Sequence, residues 1–118
     1  MLKNNSIYNA IGQLLFNIAP DGAKTVIMKA ELSPEGDHCK CQFDYINKSN
    51  DIKRFLGGAR ANRDMLDYLV KLRQYSIDNN LTNGLPAWLG CIVTVDIENA
   101  KIDFEFKYER FIDEDEER

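Results

Sequence analysis

The chain has 118 residues, 44% of them hydrophobic, and carries 19 acidic against 15 basic residues for a formal charge of −4. That length builds one core of the usual domain size, about 100 to 150 residues, and not two. The acidic balance repels phosphate backbones, which argues against direct nucleic-acid binding and favours a basic partner.

Ile7, Ile11, Leu14, Leu15 and Ile18 fall on one stripe of a helix over about residues 6–18, with Asn5 or Ser6 as its cap and Pro20 and Gly22 ending it. From Lys24 to Leu32 the pattern changes to alternation: Val26, Met28, Ala30 and Leu32 against Thr25, Ile27, Lys29 and Glu31, a strand. Ser33-Pro34-Glu35-Gly36-Asp37 is a turn by composition. Cys39, Cys41, Phe43 and Tyr45 then alternate with polar residues in a partner strand. Asn47 to Asp51 is turn-like, and residues 52–56 could hide a short edge strand before the Gly57-Gly58 pair. A second helix is expected over about residues 60–79, with Met65, Leu66, Leu69, Val70, Leu72 and Ile77 inward and Asn83-Gly84 beyond it as a stop. Trp88 opens the last hairpin: Leu89, Cys91, Val93 and Val95 face one way, Asp96 to Ala100 reverse the chain, and Ile102, Phe104, Phe106 and Tyr108 alternate with charges.

The order helix, strand, strand, helix, strand, strand predicts an α+β fold: a four-stranded antiparallel sheet with both helices packed on one face. One domain over residues 1–112 is expected, followed by an acidic tail, residues 113–118, too charged to bury. No window approaches the roughly 18 consecutive apolar residues of a membrane helix. The first helix is interrupted by Asn9, Gln13 and Asn17, unlike the apolar centre of a signal peptide. The expectation is a cytoplasmic protein, and its three cysteines, an odd number, fit reduced thiols.

Residues that could carry chemistry are few. Cys39 and Cys41 project from one strand face and His38 from the other, so they do not converge as metal ligands, and Cys91 alone remains to add a thiol. Small buried thiols are the simpler reading. The single His leaves no base for a cysteine nucleophile. Asp103 and Glu105 share a strand face but stand among Lys101, Lys107 and Glu109, as a solvated face does. Gly57-Gly58-Ala59-Arg60 lacks the Lys-Ser/Thr ending of a phosphate loop. Lys53, Arg54, Arg60, Arg63, Lys71 and Arg73 are interleaved with Asp51, Asp64, Asp67 and Asp78, a poor nucleic-acid stripe. Neither an enzyme nor a metal or cofactor is expected.

Ile7-Tyr8 with Ile11, the Ile18-Ala19-Pro20 exit, Phe43-Asp44-Tyr45, Leu69 and Leu72-Arg73, Trp88, Ile102-Asp103-Phe104 and Tyr108-Glu109 together resemble the YezG-type antitoxin family. The resemblance spans Ile7 to Glu109, with Gly22-Ala23 and Ala100 as departures. It implies a small cytosolic immunity protein that binds the C-terminal domain of a cognate polymorphic toxin, often a nuclease, and covers its active or substrate-binding surface. It implies a monomer or weak homodimer when free. Acidic residues expected to be exposed are Glu31, Asp44, Asp103, Glu105 and Glu109 on strands, with Asp113 to Glu117 behind them, and the expected contacts among them are Asp44, Asp103, Glu105, Glu109, Asp113, Glu114 and Asp115. Two other classes stay open, a small-molecule or metal-binding module around His38, Cys39 and Cys41, and a small adaptor or chaperone-like subunit.

Overall fold

The structure, a computed structural model, describes residues 2–79 and 87–112. The stop at Asn83-Gly84 and the acidic tail, including Asp113, Glu114 and Asp115, lie outside the described residues. The elements are α1 (Leu2–Ile18), β1 (Ala23–Leu32), β2 (Cys39–Asn47), β3 (Ile52–Phe55), α2 (Ala59–Asp78), β4 (Gly90–Asp96) and β5 (Lys101–Lys107). All neighbouring strands are antiparallel, in the order β3-β2-β1-β4-β5. The α+β class with two helices on one sheet face is therefore present, but the sheet has five strands rather than four. Ile52 to Phe55 pairs with Ile46 to Phe43 and forms the added edge. It is the short edge strand that residues 52–56 could hide, too brief an alternation to be counted in the sheet from sequence.

Alternation puts Val26, Met28 and Ala30 of β1 beside Cys91, Val93 and Val95 of β4, and all six are buried against Ile11 and Leu15 of α1 and Met65, Leu69 and Leu72 of α2. Each of the Val, Ile, Leu and Met side chains among them contributes roughly 1.5–3 kcal/mol by leaving water. The inward stripe of α2 is Ala61, Met65, Leu69, Leu72 and Ser76. Ile77, expected inside, is half-exposed because it falls a full residue step off the 3.6-residue period. Ser76 takes the inner place and its hydroxyl donates to the Leu72 carbonyl at 3.1 Å. Trp88 is buried, 5.0 Å from the Phe106 ring.

Helix α1 starts at Leu2 rather than at a Ser6 cap. It crosses close over β5 at Gly12, where a Cβ would stand 2.1 Å from the Ile102 Cδ1. The turn after β1 is tied by Ser33, whose hydroxyl donates to Asp37 Oδ1 at 2.8 Å and accepts the amide protons of Asp37 and His38. Arg73 of α2 donates to the Ser33 and Pro34 carbonyls. In the last hairpin Asp96 accepts from the backbone and side-chain nitrogens of Asn99, and Ala100 adopts a left-handed φ of 55°.

Candidate partner-binding face

Because both helices lie on one side of the sheet, the residues of opposite parity make a second face. Strand register orders it in rows running from β3 to β5. One row is Ile52, Ile46, Thr25, Asp96 and Lys101; the next is Arg54, Asp44, Ile27, Thr94 and Asp103; the third brings Gln42, Lys29, Ile92 and Glu105 together. The centre is β-branched and half-buried, formed by Thr25, Ile27, Ile92 and Thr94, and the flanks are charged.

The expected site carboxylates divide over this face. Asp103 and Glu105 are exposed on β5 and point away from the helices, as the alternation requires. Glu105 accepts from the Lys107 ammonium at 2.8 Å. Asp44 is only 15% exposed and takes a 2.7 Å bond from Arg54 Nε directly across the β2–β3 pair. Glu109 is exposed but not on a strand, since β5 ends at Lys107 and the chain bends there. Glu31, expected to be exposed, is buried: one carboxylate oxygen accepts the backbone N–H groups of Phe111 and Ile112, each at 2.6 Å. The segment after β5 thus folds back across the end of the sheet, and Phe111 rests over Gly90, where a Cβ would come within 2.9 Å of the ring. Pattern alone cannot foresee this contact, because it joins residues 80 positions apart.

On the described face, the carboxylates Glu31, Asp44, Asp96, Asp103 and Glu105 are matched by Lys29, Lys40, Arg54, Lys101 and Lys107. In the sequence, the last six residues hold five acids and one base, the whole net charge of −4. The described residues are thus close to neutral, and the net charge lies in residues 113–118.

The thiols lie on the helix side. Cys39 and Cys41 have Sγ atoms 3.2 Å apart, and Cys41 and Cys91 flank Ala30 on its two neighbouring strands. The hydrogen bond within the pair lowers the Cys39 pKa and, with burial, raises that of Cys41. Burial pushes the Cys91 thiol up to about 12. His38 lies in the turn, not on a strand, with Nδ1 3.0 Å from the Asp37 carboxylate. Among the described residues no group of three or more His, Cys, Asp or Glu side chains is placed to hold a metal ion, and no helix is long and apolar enough to cross a membrane. The chain matches none of the known protein-family models and no curated protein.

Proposed function

We propose that the protein is an immunity protein that binds the toxic C-terminal domain of a polymorphic toxin, commonly a nuclease, through the helix-free sheet face. The observation that carries this reading is the layout of that face: a half-buried β-branched centre around Ile27 and Ile92, flanked by paired charges. An apolar centre with a polar rim is the anatomy of a protein interface. The family resemblance supplies the class of partner. Because the described charges nearly balance, electrostatic attraction to a basic nuclease surface rests on the terminal acids, and it acts on the association rate more than on the final affinity.

The test is titration calorimetry of the full chain with the toxin domain encoded beside it. The expected result is a one-to-one complex that Ile92→Lys weakens by at least roughly a hundredfold, as a lost central contact does. Deleting residues 113–117 slows low-salt association without abolishing the complex. Asp103→Lys with Glu105→Lys reports whether the β5 edge lies inside the footprint. Full affinity in Ile92→Lys would remove the sheet face from the interface, and failure to protect cells from the toxin would remove the immunity reading.

A further inference from the structure

Cys39 and Cys41 are alternate residues of β2, so both side chains leave the strand on its helix side. Their sulfurs lie 3.2 Å apart and share a hydrogen bond. Both residues are half-buried, whereas Cys91 is fully buried. Two thiols in contact, partly open to solvent, differ from the inert filler that a single buried cysteine makes.

The strand around them has room to give. β3 pairs only with Phe43 to Ile46, so Cys39 to Gln42 are bonded to β1 on one side, and among the described residues no strand pairs with their other edge. Cys41 also lines a cleft of about 700 Å³ whose other walls include Phe43, Phe55 and, from the first turn of α2, Ala59 and Asn62. A small molecule entering that cleft meets the thiol pair in the folded protein.

Residues two apart on a strand have Cα atoms about 6.6 Å apart, near the upper end of the roughly 4.4–6.8 Å that a disulfide spans. Joining the two sulfurs asks for a shallow pucker at Lys40, which a strand held on one side can supply. Cys91 is too far to compete. It stands across Ala30 of β1 from Cys41, two strand spacings or about 9.6 Å away, beyond the bridging limit of about 7 Å. The hydrogen bond also makes the pair unequal: accepted at the Cys39 sulfur it lowers the Cys39 pKa, and donation together with burial raises that of Cys41. Cys39 is the nucleophile, and Cys41 is the thiol that keeps its proton.

We propose that Cys39 and Cys41 form a peroxide-reactive dithiol, oxidised to an intrachain disulfide by a small hydroperoxide and restored by an excess of a small thiol. The Cys39 thiolate attacks the O–O bond and becomes a sulfenic acid, while the other oxygen leaves as alcohol or water with the proton that Cys39 gave up. The Cys41 sulfur then attacks the Cys39 sulfur: the S–S bond forms, the S–O bond breaks, and the hydroxide leaves as water with the Cys41 proton. The two sulfurs lose two electrons and the peroxide gains them. In the return step two small thiols supply two electrons and become their own disulfide. The site lies on the helix side, away from the face proposed to bind the toxin, and its test involves no toxin.

The experiment treats the full chain with one equivalent of hydrogen peroxide, blocks the remaining thiols with iodoacetamide in urea, and digests with trypsin without reduction. Trypsin cuts after Lys29, Lys40 and Lys48, so the reduced chain yields Ala30 to Lys40 and Cys41 to Lys48 as separate alkylated peptides. The oxidised chain is expected to keep residues 30–48 as one unalkylated species, lighter by two hydrogens than its dithiol form, whether or not Lys40 is cut within it. Cys91 is alkylated in both, and dithiothreitol returns both thiols. The bridge should form several times faster in the folded chain than in urea, where the paired geometry is gone.

Cys41→Ser separates the two roles. Without the second thiol the Cys39 sulfenic acid persists and dimedone should label it, whereas Cys39→Ser should leave Cys41 unlabelled. The proposal is overturned if the folded and unfolded chains react at equal rates, or if Cys39 proceeds to the sulfinic acid while Cys41 stays a free thiol. It is overturned too if the bridge joins two chains or includes Cys91.

Discussion

Replacing Glu31 by Ala should release the C-terminal segment from the sheet. In the folded protein one Glu31 oxygen holds two amide protons, those of Phe111 and Ile112, at 2.6 Å, and Ile112 is buried beside them. A hydrogen bond to a charged group contributes about 1.5 kcal/mol net, so two amount to about 3 kcal/mol. The loss has a ceiling. Once residues 108–112 lift off, their amides bond to water, and no further cost accrues beyond the docking free energy of that segment. Glu31→Gln keeps an acceptor oxygen and loses only the charge assistance, so it should cost about 1 kcal/mol. Urea denaturation measures the first quantity, and hydrogen exchange at Phe111 and Ile112 measures the second. Faster exchange confined to those amides, with a lowered midpoint in the order Glu31, Gln, Ala, is expected. An unchanged midpoint with unchanged protection of both amides in Glu31→Ala would refute the reasoning.

Four further outcomes follow from the geometry. Ala100→Gly relieves a left-handed φ of 55°, and after the added freedom of glycine in the unfolded chain it should stabilise by about 0.5 kcal/mol; a lower midpoint in thermal denaturation would contradict this. Phe104 is half-buried on an edge strand, 4.7 Å from the Tyr8 ring, whereas Leu69 is fully buried, so Phe104→Ala should cost about 2 kcal/mol and Leu69→Ala about 3 or more. The reverse order would misplace the core. Cys91 is held at about 12 against an ordinary 9.0, so the unfolded chain loses this proton first and the stability present below pH 9 declines as pH rises toward 12. Cys91→Ala should lower stability at neutral pH yet flatten that alkaline slope, and an equally steep slope would show that the thiol does not drive it. Limiting iodoacetamide should alkylate Cys39 before Cys91, since Cys39 is the lowered thiol and Cys91 the buried one; equal modification by peptide mass spectrometry would refute the ranking.

Elements with long, consistent periods were legible in the sequence. The inward parity of β1, β4 and β5 and the face of α2 follow from spacing, because a one-residue slip would turn each apolar set outward. Short segments were legible only in part. Residues 52–56 could be suspected of an edge strand, and one is present at Ile52 to Phe55, but a four-residue run does not announce its partner, so the pairing with Ile46 to Phe43 did not follow from it. The exposure of the carboxylates was legible where neighbours in sequence decide it, as at Asp103 and Glu105. It failed where distant chain decides it: Glu31 reads as a solvated strand residue until Phe111 and Ile112 arrive over it. Gln42 gave no signal either, since a polar residue at an outward position is ordinary, yet it is only 5% exposed.

The strand order also governs how the chain finds this structure. The central strand β1 and its neighbour β4 pair from Glu31 with Gly90 to Thr25 with Asp96, across 59 to 71 residues of chain. The β1–β2 and β4–β5 hairpins close over short turns and can form early, but neither has a core of its own until this central seam is zipped beneath the two helices. Closing so long a loop is an entropic hurdle that only the assembled core repays. Folding should therefore be limited by docking of the last hairpin onto the first. Substitutions along the seam, at Met28 or Val93, should slow folding, whereas those on the outer strands β3 and β5 should mainly speed unfolding. A ribosome-bound chain lacking β4 would leave one edge of β1 unpaired, so the core closes only once β4 has been made.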